Sequence, residues 1–113
     1  VLVFDALDVL WTDPDAARHL TASLDRLTLT LTGSGTALVF LRASSATTSP
    51  ALSALAHYAT VRLQIVRERW LRRHGDIRGY KARVEVQKNR LGPAGRTATI
   101  SIGFNGTVRG NGL

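Results

Sequence analysis

At 113 residues, with 44% apolar, 20% charged and 6% aromatic side chains, the chain suits one compact domain and leaves little room for a second. No apolar run approaches the roughly 20 residues that a membrane-crossing helix needs, and the start, Val1-Leu-Val-Phe-Asp5, lacks the basic segment of a secretory leader. Zero cysteines remove disulfides, thiolate zinc sites and cysteine nucleophiles, so membrane and secreted classes are disfavoured and a cytoplasmic protein is expected. Methionine is absent even from position 1, and the expectation is that these residues are a piece of a longer product. His19, His57 and His74 are too dispersed for a metal motif, and none has an acid-base partner at recognisable spacing, so no catalytic histidine or serine is assigned.

Fifteen Lys and Arg against eight Asp and Glu give a formal charge of +7, and the charge is clustered. Between Ala59 and Arg96 stand eleven basic side chains against Glu68, Asp76 and Glu85, a balance of +8 that leaves −1 for the rest. The uneven distribution predicts a face of positive potential, attractive to phosphate, nucleic acid or an acidic protein surface; Arg67, Arg69, Arg72, Arg73, Arg78, Lys81 and Arg83 are its candidate residues. Thirteen arginines to two lysines also fit a solvated hairpin whose arginine content is compositional.

Taken in order, Val1 to Phe4 is a continuous apolar run closed by Asp5, which predicts a strand buried on both faces, as in a parallel sheet. Thr12-Asp13-Pro14-Asp15 supplies an N-cap, a proline at the first helical position and early acidic charge, and Leu20, Leu24, Leu27 and Leu31 recur at helical spacing up to Gly33. The alternation Leu27-Thr-Leu-Thr-Leu-Thr32 has a strand period, but the flanking start and stop signals favour helix. Thr36 to Leu41 is a second buried strand, and the three elements form a right-handed crossover unit with parallel strands. Arg42 to Ser49 reads as loop, and Thr48-Ser49-Pro50 opens a second helix over Ala51 to Tyr58.

Beyond Tyr58 the period changes to two. Val61, Leu63 and Ile65, then Tyr80, Ala82, Val84 and Val86, then Ala98, Ile100, Ile102 and Phe104 alternate with polar residues, predicting three half-buried antiparallel strands joined through His74-Gly75-Asp76 and through Asn89 to Gly95. Residues 105–113, rich in glycine, are expected to form a flexible tail. The fold class is therefore α/β, a parallel pair with a crossover helix continuing into a three-stranded antiparallel meander.

Leu55-Ala-His-Tyr-Ala-Thr-Val-Arg-Leu63, followed by Val84-Glu-Val-Gln-Lys-Asn-Arg90, Gly92-Pro93 and the strand Thr97 to Gly103, resembles the carboxyl-terminal half of the bacterial RecA recombinase core. In that family a helix ends in an aromatic-alanine-serine-valine-arginine-leucine segment and a later strand ends in lysine-asparagine-lysine before a proline loop. The likeness implies a partial RecA-like, P-loop NTPase core over residues 1–104 and membership of an ATP-driven, filament-forming family that binds single-stranded DNA. It also implies that Val1 to Asp5 is a Walker B strand, with Asp5 binding Mg-ATP by holding the magnesium shell through water. Lys88 and Arg90 would then be the catalytic contacts that reach a neighbouring subunit's γ-phosphate, where preorganised cations offset the charge of transfer.

The departures from the family are also specific. No G-x-x-x-x-G-K-[ST] loop exists in the 113 residues, so this piece alone is not expected to hydrolyse ATP. Arg42-Ala43 stands where the family has asparagine-glutamine, and both of the family's DNA-binding loops look shortened. Two functions follow: part of an oligomeric ATP-binding protein of DNA recombination or repair, or a non-hydrolysing RecA-like accessory protein of the cell-division-inhibitor or translesion-polymerase-helper kind that binds protein partners. A third reading, a generic single-stranded nucleic-acid binder, rests on Trp70 and Tyr80 among the arginines of the hairpin.

Overall fold

The computed structural model describes residues 1–5, 14–43 and 50–111. The capping residues Thr12, Asp13, Thr48 and Ser49 that the sequence singled out lie outside them. The chain divides into two compact units, Val1–Ala59 and Thr60–Leu113.

In the first unit β1 (Leu2–Phe4) pairs in parallel with β2 (Leu38–Phe40), with Leu2 opposite Leu38 and Phe4 opposite Phe40. The Phe4 and Phe40 rings stack with centroids 5.3 Å apart. Between the strands runs α1 (Pro14–Leu31), and the ambiguous leucine-threonine alternation lies inside it. Three threonine hydroxyls there donate to carbonyls one turn back, Thr28 to Leu24 at 2.8 Å, Thr30 to Arg26 at 3.0 Å and Thr32 to Thr28 at 2.7 Å. That bond gives a β-branched polar residue a place within helical backbone. Gly33, at φ +79°, closes the helix in the left-handed conformation that suits glycine.

The second helix, α2 (Pro50–Tyr58), packs on the first: Leu24, Leu52 and Leu55 are buried together, with Leu20, Phe40 and Tyr58 against them. The leucine stripe is thus only partly used, because Leu27 remains 40% exposed. The expectation of a strand buried on both faces is corrected, since Leu2 and Val3 are more than half exposed. A two-stranded parallel sheet of three-residue strands has too few neighbours to cover itself.

The second unit is one antiparallel sheet in the order β3 (Val61–Arg73), β4 (Asp76–Asn89), β5 (Thr97–Gly103) and β6 (Val108–Asn111). β3 and β4 form a long hairpin closed by His74 and Gly75, both at positive φ, the turn whose twist matches paired strands. The expected three-stranded meander is corrected to four strands, and residues 108–111 of the expected flexible tail form the fourth. Asn105 accepts hydrogen bonds from the Thr107 amide and hydroxyl, and the Gly103 amide donates to the Thr107 carbonyl at 2.8 Å, which turns the chain back so that Val108 pairs with Ile102.

On one face of β4 stand Tyr80, Ala82, Val84 and Val86, opposite Ile102, Ile100 and Ala98 and, for Val86, Leu63. Ala82 is completely buried at the centre. Gly79 lies opposite Gly103, and a Cβ at position 79 would sit 2.1 Å from the Ile102 carbonyl oxygen, so this close strand approach requires glycine.

Candidate functional site

Asp5 follows directly on β1, whose direction is fixed by its parallel pairing with β2 and by the Leu41 amide donating to the Phe4 carbonyl at 2.9 Å. Its position is therefore the carboxyl end of the parallel pair, next to the place where β2 runs out into Leu41 and Arg42. A single carboxylate there fits the chemistry of magnesium, which takes one or two protein carboxylates and fills its octahedron with water and phosphate oxygens. Among the described residues no three or more His, Asp or Glu side chains cluster in a way that holds a metal by themselves.

The second group lies in the other unit, where β4 ends. Lys88 is opposite Arg62, the pair that precedes a register shift: Arg62 faces Lys88 while Leu63 faces Val86, so Gln87 is the extra residue of a β-bulge. Arg90 follows the strand and is held by its amide, which donates to the Thr60 carbonyl at 3.0 Å. The turn beyond is fixed by Asn89, whose side chain accepts from the Leu91 amide at 3.0 Å, while the Gly95 amide returns to the Val86 carbonyl at 2.8 Å. Lys88 is half-buried, and loss of water around it, followed by the charges of Arg90 and Arg62, holds its ammonium below the usual lysine range. The bulge gathers three cations at one corner of the sheet. Arg62 entered the sequence reading only as one more basic residue; the signal was Lys88 itself, a cation in phase with the apolar stripe Tyr80, Ala82, Val84 and Val86.

The seven cations of the hairpin do not share one face. Opposed residues in a sheet project to the same side and neighbours along a strand alternate. The pairing of Arg69 with Lys81, and the two-residue step from Lys81 to Arg83, put these three on one side, whereas Arg67, opposite Ala82, belongs to the other. Arg83 lies 3.9 Å from Glu68. Nearer the turn, Arg73 lies opposite Asp76 in the strand register, Arg78 approaches Asp76 at 3.4 Å and Arg72 donates to the Gly75 carbonyl at 3.4 Å. The expected single positive face is thus corrected to a divided one, because strand alternation splits any contiguous run of arginines. Trp70 and Tyr80 pack edge to face at 6.1 Å with Phe104 beside both, and the Arg67 guanidinium lies 4.1 Å from the Trp70 ring centroid. The face of Trp70 is therefore already used by a cation.

Among the described residues no helix is long and apolar enough to cross a membrane.

The family model of the RecA N-terminal domain matches residues 12–109. Protein RecA of Frankia casuarinae is 32% identical over 101 residues, which span 81% of this chain and 29% of that protein. Protein RecA of Bacillus velezensis is 40% identical over 55 residues, 49% of this chain and 16% of the relative, and that of Bacillus thuringiensis is 42% identical over a stretch of the same length. The matched stretches thus span less than a third of these curated relatives.

Proposed function

This chain belongs to the RecA family, and from that premise we propose that it is part of an ATP-binding protein that acts in DNA recombination or repair as an oligomer in the cytoplasm. Asp5 supplies the carboxylate that holds the magnesium shell. Lys88 and Arg90 reach the triphosphate bound by a neighbouring subunit, and Arg67, Arg69, Arg72, Arg73, Arg78, Lys81 and Arg83 offer cations to single-stranded DNA or to an acidic partner. ATP and magnesium would be cradled by a phosphate loop outside these residues.

The observation that carries the reading is the corner where β4 ends. The charge of Arg90 helps hold the Lys88 ammonium below the usual lysine range, on a strand end held by the Arg90 amide and the Asn89 turn. Cations held against their own repulsion suit an anion with several charges, and a phosphoryl group in transfer is one.

The test uses the whole protein that carries this chain. DNA-stimulated ATP hydrolysis is expected, and Lys88→Ala or Arg90→Ala should lower kcat by roughly a hundredfold or more, as loss of a trans-acting cation does. Mixing the Lys88→Ala protein with an Asp5→Asn protein should restore part of the rate, because each subunit interface that combines an intact Asp5 with an intact Lys88 is competent. Hydrolysis that survives both single cation variants would overturn the assignment.

Arg42-Ala43 at the end of β2 favours a second reading, in which the protein is a non-hydrolysing RecA-like accessory factor that binds protein partners. Absence of both ATP binding and hydrolysis in the whole protein would remove the first reading and favour that alternative.

A further inference from the structure

Two glutamines lie beside the cationic corner, and neither is accounted for by sheet formation. The Arg62 Nε donates to the Gln87 Oε1 at 3.1 Å, and the Gln87 Nε2 donates in turn to the Gln64 Oε1 at 2.9 Å. Gln87 is the extra residue of the bulge, so its side chain is offered to Arg62 because the register slips there. An arginine beside a lysine and a second arginine gains by swinging away into water, and holding it requires an acceptor. A carboxylate would hold it and cancel the charge. An amide oxygen holds it and leaves the full positive charge in place.

We infer that Gln87 and Gln64 are positioning residues whose side-chain relay fixes Arg62 at the bulge as a third cation, so that Arg62, Lys88 and Arg90 converge on one polyphosphate group. The inference rests on the reading of Lys88 and Arg90 given above and adds to it a third contact and the device that aims it. The lowered titration of Lys88, to which Arg62 contributes, accords with that convergence.

The probe is inorganic tripolyphosphate, bound to this chain at low salt and followed by calorimetry, with the Lys88 ammonium titrated by NMR in the same variants. Arg62→Gln should weaken binding by roughly fivefold, and Gln87→Leu or Gln64→Leu by about threefold, because a charge that is present but no longer aimed loses its share of a charge-assisted contact. Gln87→Glu keeps the hydrogen bond and cancels the charge, and should weaken binding as well. In Arg62→Gln, Gln87→Leu and Gln87→Glu the Lys88 titration should move up toward the ordinary lysine range, a change that a role in folding alone would not produce. Unaltered amide spectra outside the bulge exclude unfolding as the cause.

If Lys88→Ala and Arg90→Ala lose binding while the glutamine variants bind and titrate as the parent does, the relay is refuted and the phosphate contact stands. Should the parent chain fail to bind tripolyphosphate, or Lys88→Ala and Arg90→Ala bind it undiminished, the underlying reading falls together with the relay.

Discussion

Val1–Ala59 and Thr60–Leu113 are of similar length but are held together by different interactions. The first keeps three leucines from two helices out of water, and its two strands contribute three residue pairs. The second has a continuous ladder of four strands, with one completely buried alanine at its centre and large apolar side chains such as Ile65 and Phe104 more than half exposed. The helical unit depends on side-chain volume, which a small cavity disturbs. The sheet depends on backbone hydrogen bonds and close strand approach, which a single added atom disturbs.

That contrast is broken most sharply at Gly79. Gly79→Ala forces a Cβ against the Ile102 carbonyl, where backbone rather than a flexible side chain must give way. It should cost about 4 kcal/mol, at the upper end of overpacking effects, with loss of amide-exchange protection centred on β4 and β5. Next in size is Leu52→Ala, which opens a cavity beside Leu24 and Leu55. About 3 kcal/mol is expected, read by urea denaturation, with exchange accelerated first in α1 and α2. If both substitutions loosened the same amides equally, the two units would not be separately stabilised, and the comparison would fail.

Asn89→Ala sharpens the picture at the end of β4. It removes the acceptor for the Leu91 amide and should cost about 1 kcal/mol, with altered chemical shifts confined to residues 88–95.

The smallest effect is a pH dependence in the helical unit. The Tyr58 hydroxyl donates to Asp25 at 2.6 Å, and that bond, then partial burial and the charge of Asp25, raises the tyrosine pKa above its ordinary value near 10. A raised folded-state value means that the bond contributes fully below the unfolded value and is lost as pH climbs through the folded one. Alkaline titration should therefore weaken the α1–α2 contact only above about pH 10, and Tyr58→Phe should abolish that slope without changing stability slopes near neutral pH.

Much of the architecture was legible in local pattern. The change from period 3.6 to period 2 after Tyr58 located the antiparallel sheet, and the glycine after the leucine-threonine run marked the helix stop. The fourth strand was missed because a tail rich in glycine and asparagine reads as loose, although Gly103-Phe-Asn-Gly-Thr107 carries turn chemistry that returns Val108 to Ile102. The candidate cations at 88 and 90 were legible as a resemblance. Arg62 and the two glutamines were not, because no local spacing records that a strand slips by one residue against a partner 25 positions away.

The type of every element before the fourth antiparallel strand, charge clustering and the direction of β1 toward Asp5 thus belong to the sequence, since each follows from neighbours along the chain. Which face each arginine takes, which strand stays uncovered and which cations meet at the bulge were decided by tertiary structure alone. Side chains alternate strictly along a strand, so a single inserted residue re-aims those around it, and only the pairing of distant segments shows where the insertion falls.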